Sequence, residues 1–336
     1  MKRAETINRA FNGLPLTLLS AAALVAAAAL SQPLPGSASD AGRGLCFSTA
    51  SLRVDDPAAS AALSCAALLC AGLLMYLLNK TYSFVRSMTM VYASSLLLLE
   101  AACPQVSATL TDGTLICLLI LGTAFILFGS YGAPRGEKSV FITFAAISFA
   151  SMFQVACLYL VAVYFVGFVQ MRVMSARAAV AALLGLVLPY WIAFGFGLLP
   201  LESVAFPQTA GAPEPPVATM VWTVALTAVT IILMAINLVR IYGYKMQIRA
   251  YNGFFIILAV ATMIAMAVDR ANALNYLAVM HLCLAYQVAH CYASSAARYR
   301  FVALLALIVA CAAGFFAQSF GGSAAEAARS FLSMPS

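Results

Sequence analysis

SVFITFAAISFASMFQVACLYLVAVYFVGFVQM, residues 139–171, is the stretch whose reading decides the fold. It runs for 33 residues without a charge, between Lys138 and Arg172. About 20 helical residues cross a bilayer core of roughly 30 Å. At 1.5 Å per residue, one helix here would be about 50 Å long, far beyond a single crossing. Two shorter helices folded back near Met152–Val155, with Gln154 at the bend, accommodate the length. The flanks agree. Arg135 and Lys138 precede the stretch, and Arg172 and Arg177 follow it. Basic residues collect on the cytoplasmic side of membrane helices, so both ends belong on that side and the number of crossings between them is even. Each half has only about 15–17 residues, so a re-entrant hairpin covered by protein is the alternative to two full spans.

Working outward, further apolar runs occupy 13–30, 58–78, 82–103, 113–131, 178–199, 217–239, 252–268, 272–292 and 301–317. With the halves 139–153 and 155–171 they predict an all-α polytopic transmembrane bundle of about eleven spans, within a range of 10–12. The chain is 64% hydrophobic and 9% charged, with a mean hydropathy of +0.98. A soluble fold cannot cover its surface with so few polar groups. Long unbroken runs select helices over a barrel, whose short strands alternate in polarity. The first run follows Lys2, Arg3 and Arg9 and precedes Ser37-Ala38-Ser39, which resembles a cleavage site. An uncleaved first span is simpler, because a string of spans follows. Pro189 should kink the seventh span.

Charge tests the topology. With the N-terminus inside, eleven spans place 14 Lys and Arg residues inside and 4 outside. Treating 139–171 as one span gives 9 against 9, which erases the bias. The expected orientation has the N-terminus cytoplasmic and the C-terminus outside. The net charge of +7 is scattered singly and in pairs, so it reads as loop anchors at membrane lipids and excludes a nucleic-acid footprint. Membrane lipids, or a membrane-protein partner, are the expected associates. Nine cysteines occur without a CxxC, so no metal site and no cofactor is expected. Cys46 and Cys103 fall on the same outer side and could pair.

Ionisable groups inside a membrane are expensive and are therefore functional candidates. Glu100, near the outer end of the third span, reads as a proton or cation site or a headgroup contact. The plainer reading is an interfacial carboxylate within a turn of water. His281 and His290 share the tenth span with Asn272, Asn275 and Gln287. At about 100° per residue the two histidines point to opposite faces and cannot share a metal. Asn272, Asn275, Gln287 and His290 form one stripe, readable as interhelical glue or as a relay. His281 stands alone near mid-membrane. Glu100, Asn275 and His281 are the binding candidates. Asp55 and Asp56 precede the second span, as a catalytic pair or as a helix cap. Asp269 and Arg270 mark an outer turn, as ligand contacts or as solvated residues. Phe194-Gly195-Phe196-Gly197 reads as a close-packing motif.

Leu78-Asn79-Lys80-Thr81-Tyr82, then Arg86 to Thr89, then the run ending in Cys103-Pro104 form one recognisable pattern. Arg172 to Tyr190, with Arg177, Gly185 and Leu188-Pro189-Tyr190, forms another. Together they resemble a family of uncharacterised bacterial multi-pass inner-membrane proteins of about 300 residues. The resemblance covers the chain from about Ala58 onward and implies a bacterial envelope location. It transfers no functional residue. Three functions stay open: a transporter or handler of a lipid or envelope precursor, a non-catalytic scaffold or complex subunit, and a glycosyltransferase-like enzyme acting on a lipid-linked sugar. The last would use Asp55, Asp56, Asp269 and Arg270 in one cleft.

Overall fold

The structure, a computed structural model, describes residues 14–31, 44–47, 56–85, 90–197, 216–295 and 297–332. Among these residues it is helical throughout, with no strand. The helices are α1 (Leu14–Leu30), α2 (Pro57–Tyr82), α3 (Val91–Ala101), α4 (Pro104–Ser107), α5 (Asp112–Gly129) and α6 (Glu137–Phe153). They continue as α7 (Tyr159–Gln170), α8 (Ala176–Gly195), α9 (Val217–Ile241), α10 (Met246–Val268), α11 (Ala273–Ser294) and α12 (Ala297–Leu332).

Contacts between helix ends give each helix its direction. At one end Leu110 N–H donates to Ser60, Gly113 N–H donates to Asn275, and Gln154 donates to Asp112. At the other end the Tyr82 hydroxyl donates to Phe125 O, Gly132 N–H to Met171 O, Arg240 to Ser294, and Arg300 to Ser295 O. The second end carries Lys80, Arg135, Lys138, Arg172, Arg177, Arg240, Lys245, Arg249 and Arg300. We term it the basic face. Asp56, Asp112, Asp269 and Arg270 lie at the opposite, far face.

The Gly132–Met171 bond brings both ends of 139–171 to the basic face. Between them α6 stops at Phe153, and Gln154 is extended, with φ −144° and ψ 110°. Its side chain accepts from Ala156 N–H and donates to Asp112, so the reversal sits at the far face. The free carbonyls at a helix end need partners. Here the N–H groups of Leu45, Cys46 and Phe47 donate to Ser151 O and Met152 O, and Phe47 stacks on Phe153 at 4.8 Å. α8 returns parallel to α6, with Ser151 bonded to Tyr190 and Gly185 set against Phe141.

Among the described residues six helical segments are long and apolar enough to cross a membrane: Pro57–Tyr82, Asp112–Gly129, Ala176–Gly195, Val217–Ile241, Met246–Val268 and Tyr299–Ser319. Leu14–Leu30, Val91–Ala101 and Val155–Gln170 are shorter apolar segments. Helix length therefore does not confirm the expected count of about eleven spans. The largest departure is the run 82–103. α2 extends to Tyr82 and ends where Ser83 turns left-handed, at φ 47°, donating to Asn79 O. Asn79 also accepts from Val85 N–H, which fastens the turn. Only Val91–Ala101 becomes α3, because Pro104 keeps Cys103 out of helical geometry. Every residue of α3 is buried. α11 is buried along most of its length, and the two helices form the centre of the bundle. α8, α9 and α12 present apolar residues outward, including Trp191, Val221 and Val309.

Candidate functional site

The centre of the bundle holds a carboxyl and an imidazole in contact. Glu100 closes the last turn of α3, and His281 lies on α11. Glu100 Oε2 is 3.2 Å from His281 Nδ1, and both side chains are 0% exposed. On the other side of the ring, Trp222 Nε1 of α9 is 3.4 Å from His281 Nε2. Gly314 of α12 seats the indole: a Cβ there would lie 2.5 Å from the Trp222 ring.

This arrangement selects a tautomer. An indole N–H only donates, so Nε2 must accept. A neutral imidazole then carries its proton on Nδ1, the atom facing Glu100. A doubly protonated ring would set N–H against N–H at Trp222. The 3.2 Å approach is an ion-pair distance, yet its geometry falls outside that of a hydrogen bond, and both carboxyl oxygens and Nδ1 lack one. Holding an ionisable group at this depth costs about 3 kcal/mol by insertion scales. The chain has not offset that cost with donors to the carboxyl. The lone pairs are available for a proton or a ligand group.

A second polar cluster continues from Glu100 toward the far face. Gln105 donates to Thr219, Thr219 donates to Gln318 Oε1, Gln318 donates to Ala102 O, and Cys103 donates to Gln318 Oε1. Thr219 lies in the first turn of α9, one turn before Trp222. The cluster ties α4, α9 and α12 to the turn that follows Glu100, and no hydrogen bond connects it to the carboxyl or the imidazole.

The other candidates resolve into supports. Asn275 accepts from Gly113 N–H and donates to Asn272, which donates to Asp269. Asp269 also accepts from Tyr276, while Arg270 is exposed. Asn275 therefore fastens α11 to α5 and does not join Glu100. Asp56 caps α2, accepting from Ala58 and Ala59 N–H, which is the structural alternative to a catalytic pair. Asp55 lies outside the described residues. The predicted polar stripe is glue at two separate heights. Asn237 of α9 donates to Gln287 and accepts at Oδ1 from Cys291, with His290 Nδ1 3.2 Å from the same oxygen. Cys46 and Cys103 are both free thiols: the first is bonded through its backbone to Met152, the second donates to Gln318. Gly197 is no packing motif, for it ends α8 in a left-handed conformation at φ 66° with open space around it.

Sequence reasoning named Glu100 and His281 but missed Trp222, Asn237 and Gln318. A lone Asn or Gln inside an apolar run was a usable signal for the last two. Among the described residues no three His, Cys, Asp or Glu side chains converge on one point. The Glu100–His281 pair by itself supplies two of the three or four ligands that zinc takes from protein. Comparison with protein-family models, curated proteins and solved structures gave no match, so the functional reading rests on this geometry.

Proposed function

We propose that this chain is a proton-coupled membrane transporter that handles a lipid or an envelope precursor, with Glu100 and His281 as its proton-binding pair. The observation that carries this reading is the fully enclosed Glu100–His281 contact whose carboxyl oxygens have no hydrogen bond. Intramembrane ionisable groups of this kind mark proton and substrate paths. The cluster from Cys103 to Gln105 and Thr219 supports an approach from the far face. We further propose a topology of eleven passes, in which the short α3 crosses within the protein-lined centre and the short α6 and α7 each turn an apolar face outward, with Phe149 and Val169 exposed. The basic face is then cytoplasmic by the positive-inside rule, with the N-terminus inside and the C-terminus outside a bacterial inner membrane.

Difference infrared spectroscopy of the reconstituted protein tests the proton site. Exchange from alkaline to acidic buffer should produce the carbonyl band of a buried carboxylic acid, and Glu100→Gln should remove it. Retention of that band in Glu100→Gln, or its absence from the parent protein, overturns the proposal. Pyranine-loaded proteoliposomes then report coupling, as substrate-dependent proton movement that disappears in Glu100→Gln and His281→Gln.

A further inference from the structure

We infer that the cleft between α9, α11 and α12 is a binding site for one anionic glycerophospholipid of the basic-face leaflet. The inference does not depend on the proton-binding role of Glu100. The cleft measures about 300 Å³. Its walls are Val229 and Leu233 of α9, Val288 of α11, and Leu304, Leu307 and Ala310 of α12. Arg300 and Tyr292 stand at its end on the basic face.

The cause of the cleft is local. Near the far face α12 is drawn against α9 and α3 by Gly314 under Trp222 and by the Gln318 bonds. Nearer the basic face Ala303, Ala306 and Ala310 are too small to fill the space that remains. The result is an apolar slot open along one flank, where Val229 is 44% exposed.

Length and charge identify the occupant. From Arg300 to Ala310 the slot follows α12 for ten residues, about 15 Å at 1.5 Å per residue. That is half of a core of roughly 30 Å, the depth of one leaflet. Its Ala310 end, at the depth of the bilayer centre, therefore matches a chain terminus and its open end at Arg300 a headgroup. At that open end Arg300 donates to Ser295 O and Ala293 O, which uses two of its five N–H groups and fixes the guanidinium over Tyr292. Arg240 of α9 donates to Ser294, the neighbour in sequence of the Ser295 whose carbonyl holds Arg300. A fixed guanidinium at the end of an apolar slot, with a second arginine bonded to the same turn, suits a phosphodiester carrying acyl chains, and basic pockets between membrane helices bind anionic lipids in this manner.

Native mass spectrometry of the delipidated full chain tests the site, with phosphatidylglycerol and phosphatidylcholine of identical chains offered in equal amounts. The parent protein should retain phosphatidylglycerol by roughly fivefold or more, since one basic residue near a headgroup contributes about that factor. Arg240→Gln combined with Arg300→Gln should bring the two lipids to parity. Ala306→Trp, at an exposed position of the slot, should remove the first bound lipid of either kind while leaving the elution profile of the protein unchanged. Persistence of the preference in the double arginine variant overturns the proposal. So does an undiminished first lipid in Ala306→Trp, which decides the matter alone if the arginine variant does not fold. Displacement of the lipid by millimolar glycerol 3-phosphate would show a free-phosphate site instead and also refute it.

Discussion

Glu100→Leu and His281→Leu, made singly and together, separate the mutual stabilisation of the pair from the cost of burying it. Both side chains are wholly enclosed. His281→Leu strands a carboxyl without a hydrogen bond, and removing one member of a buried pair costs about 3–5 kcal/mol. Glu100→Leu leaves the imidazole its Trp222 contact and strands only Nδ1, worth about 1–3 kcal/mol. The double variant replaces both polar groups with hydrocarbon of comparable volume, which is often neutral or stabilising by a few kcal/mol. The singles should therefore sum to far more than the double. Helices unfolded within a membrane find substitute partners, which lowers such values, so a coupling of about 1–2 kcal/mol is the expected result. Reversible unfolding in bicelles measures it. Singles that add to the double within about 0.5 kcal/mol would mean that the two groups do not interact, and the site would fall with them.

Gly185→Leu should separate α6 from α8. A Cβ at this position lies 2.6 Å from Phe141 O and 3.1 Å from Ala145 N, and neither backbone atom can turn aside. Overpacking of this kind costs about 1–3 kcal/mol, readable as a lowered unfolding midpoint. Asn237→Leu removes the contacts to Gln287, His290 and Cys291. It should cost about 1–2 kcal/mol and speed maleimide labelling of Cys291; an unchanged labelling rate would mean that Asn237 does not hold α9 to α11.

The reversal at Gln154 was legible because 33 uncharged residues exceed one crossing and because the flanking cations demand a return. α5, α8 and α9 lie close to their expected bounds for the same reason: a long apolar run between polar turns has few alternatives. The run 82–103 misled because hydropathy measures avoidance of water and does not distinguish lipid from protein as the replacement. α3 is apolar through enclosure by its neighbours, and the breaks at Ser83 and Pro104 were the informative marks. Glu100 and His281 each stood out as a polar residue in oil, but their meeting is a tertiary contact that no local spacing encodes. Trp222 was invisible as a partner, since a Trp in an apolar helix reads as packing until a ring nitrogen is found beside it. Asp56 and Asn275 carried both a chemical and a structural reading, and the bonds they make are structural.

The shortness of α3 constrains how the protein is made. Eleven residues reach about 16 Å, roughly half the thickness of the hydrocarbon, so this segment cannot be released alone into lipid. α1 precedes α3 in the chain and shields one side of it, with Thr17 on Ser94 and Leu24 among Leu97 and Ala101. The opposite shield, α11, emerges only after seven further helices. Until then the carboxyl of Glu100 has no imidazole to meet. In the proposed eleven-pass topology, insertion of α3 is accordingly a late event, completed when α11 closes over it, and truncation of the chain before α11 should leave the segment at the insertion machinery.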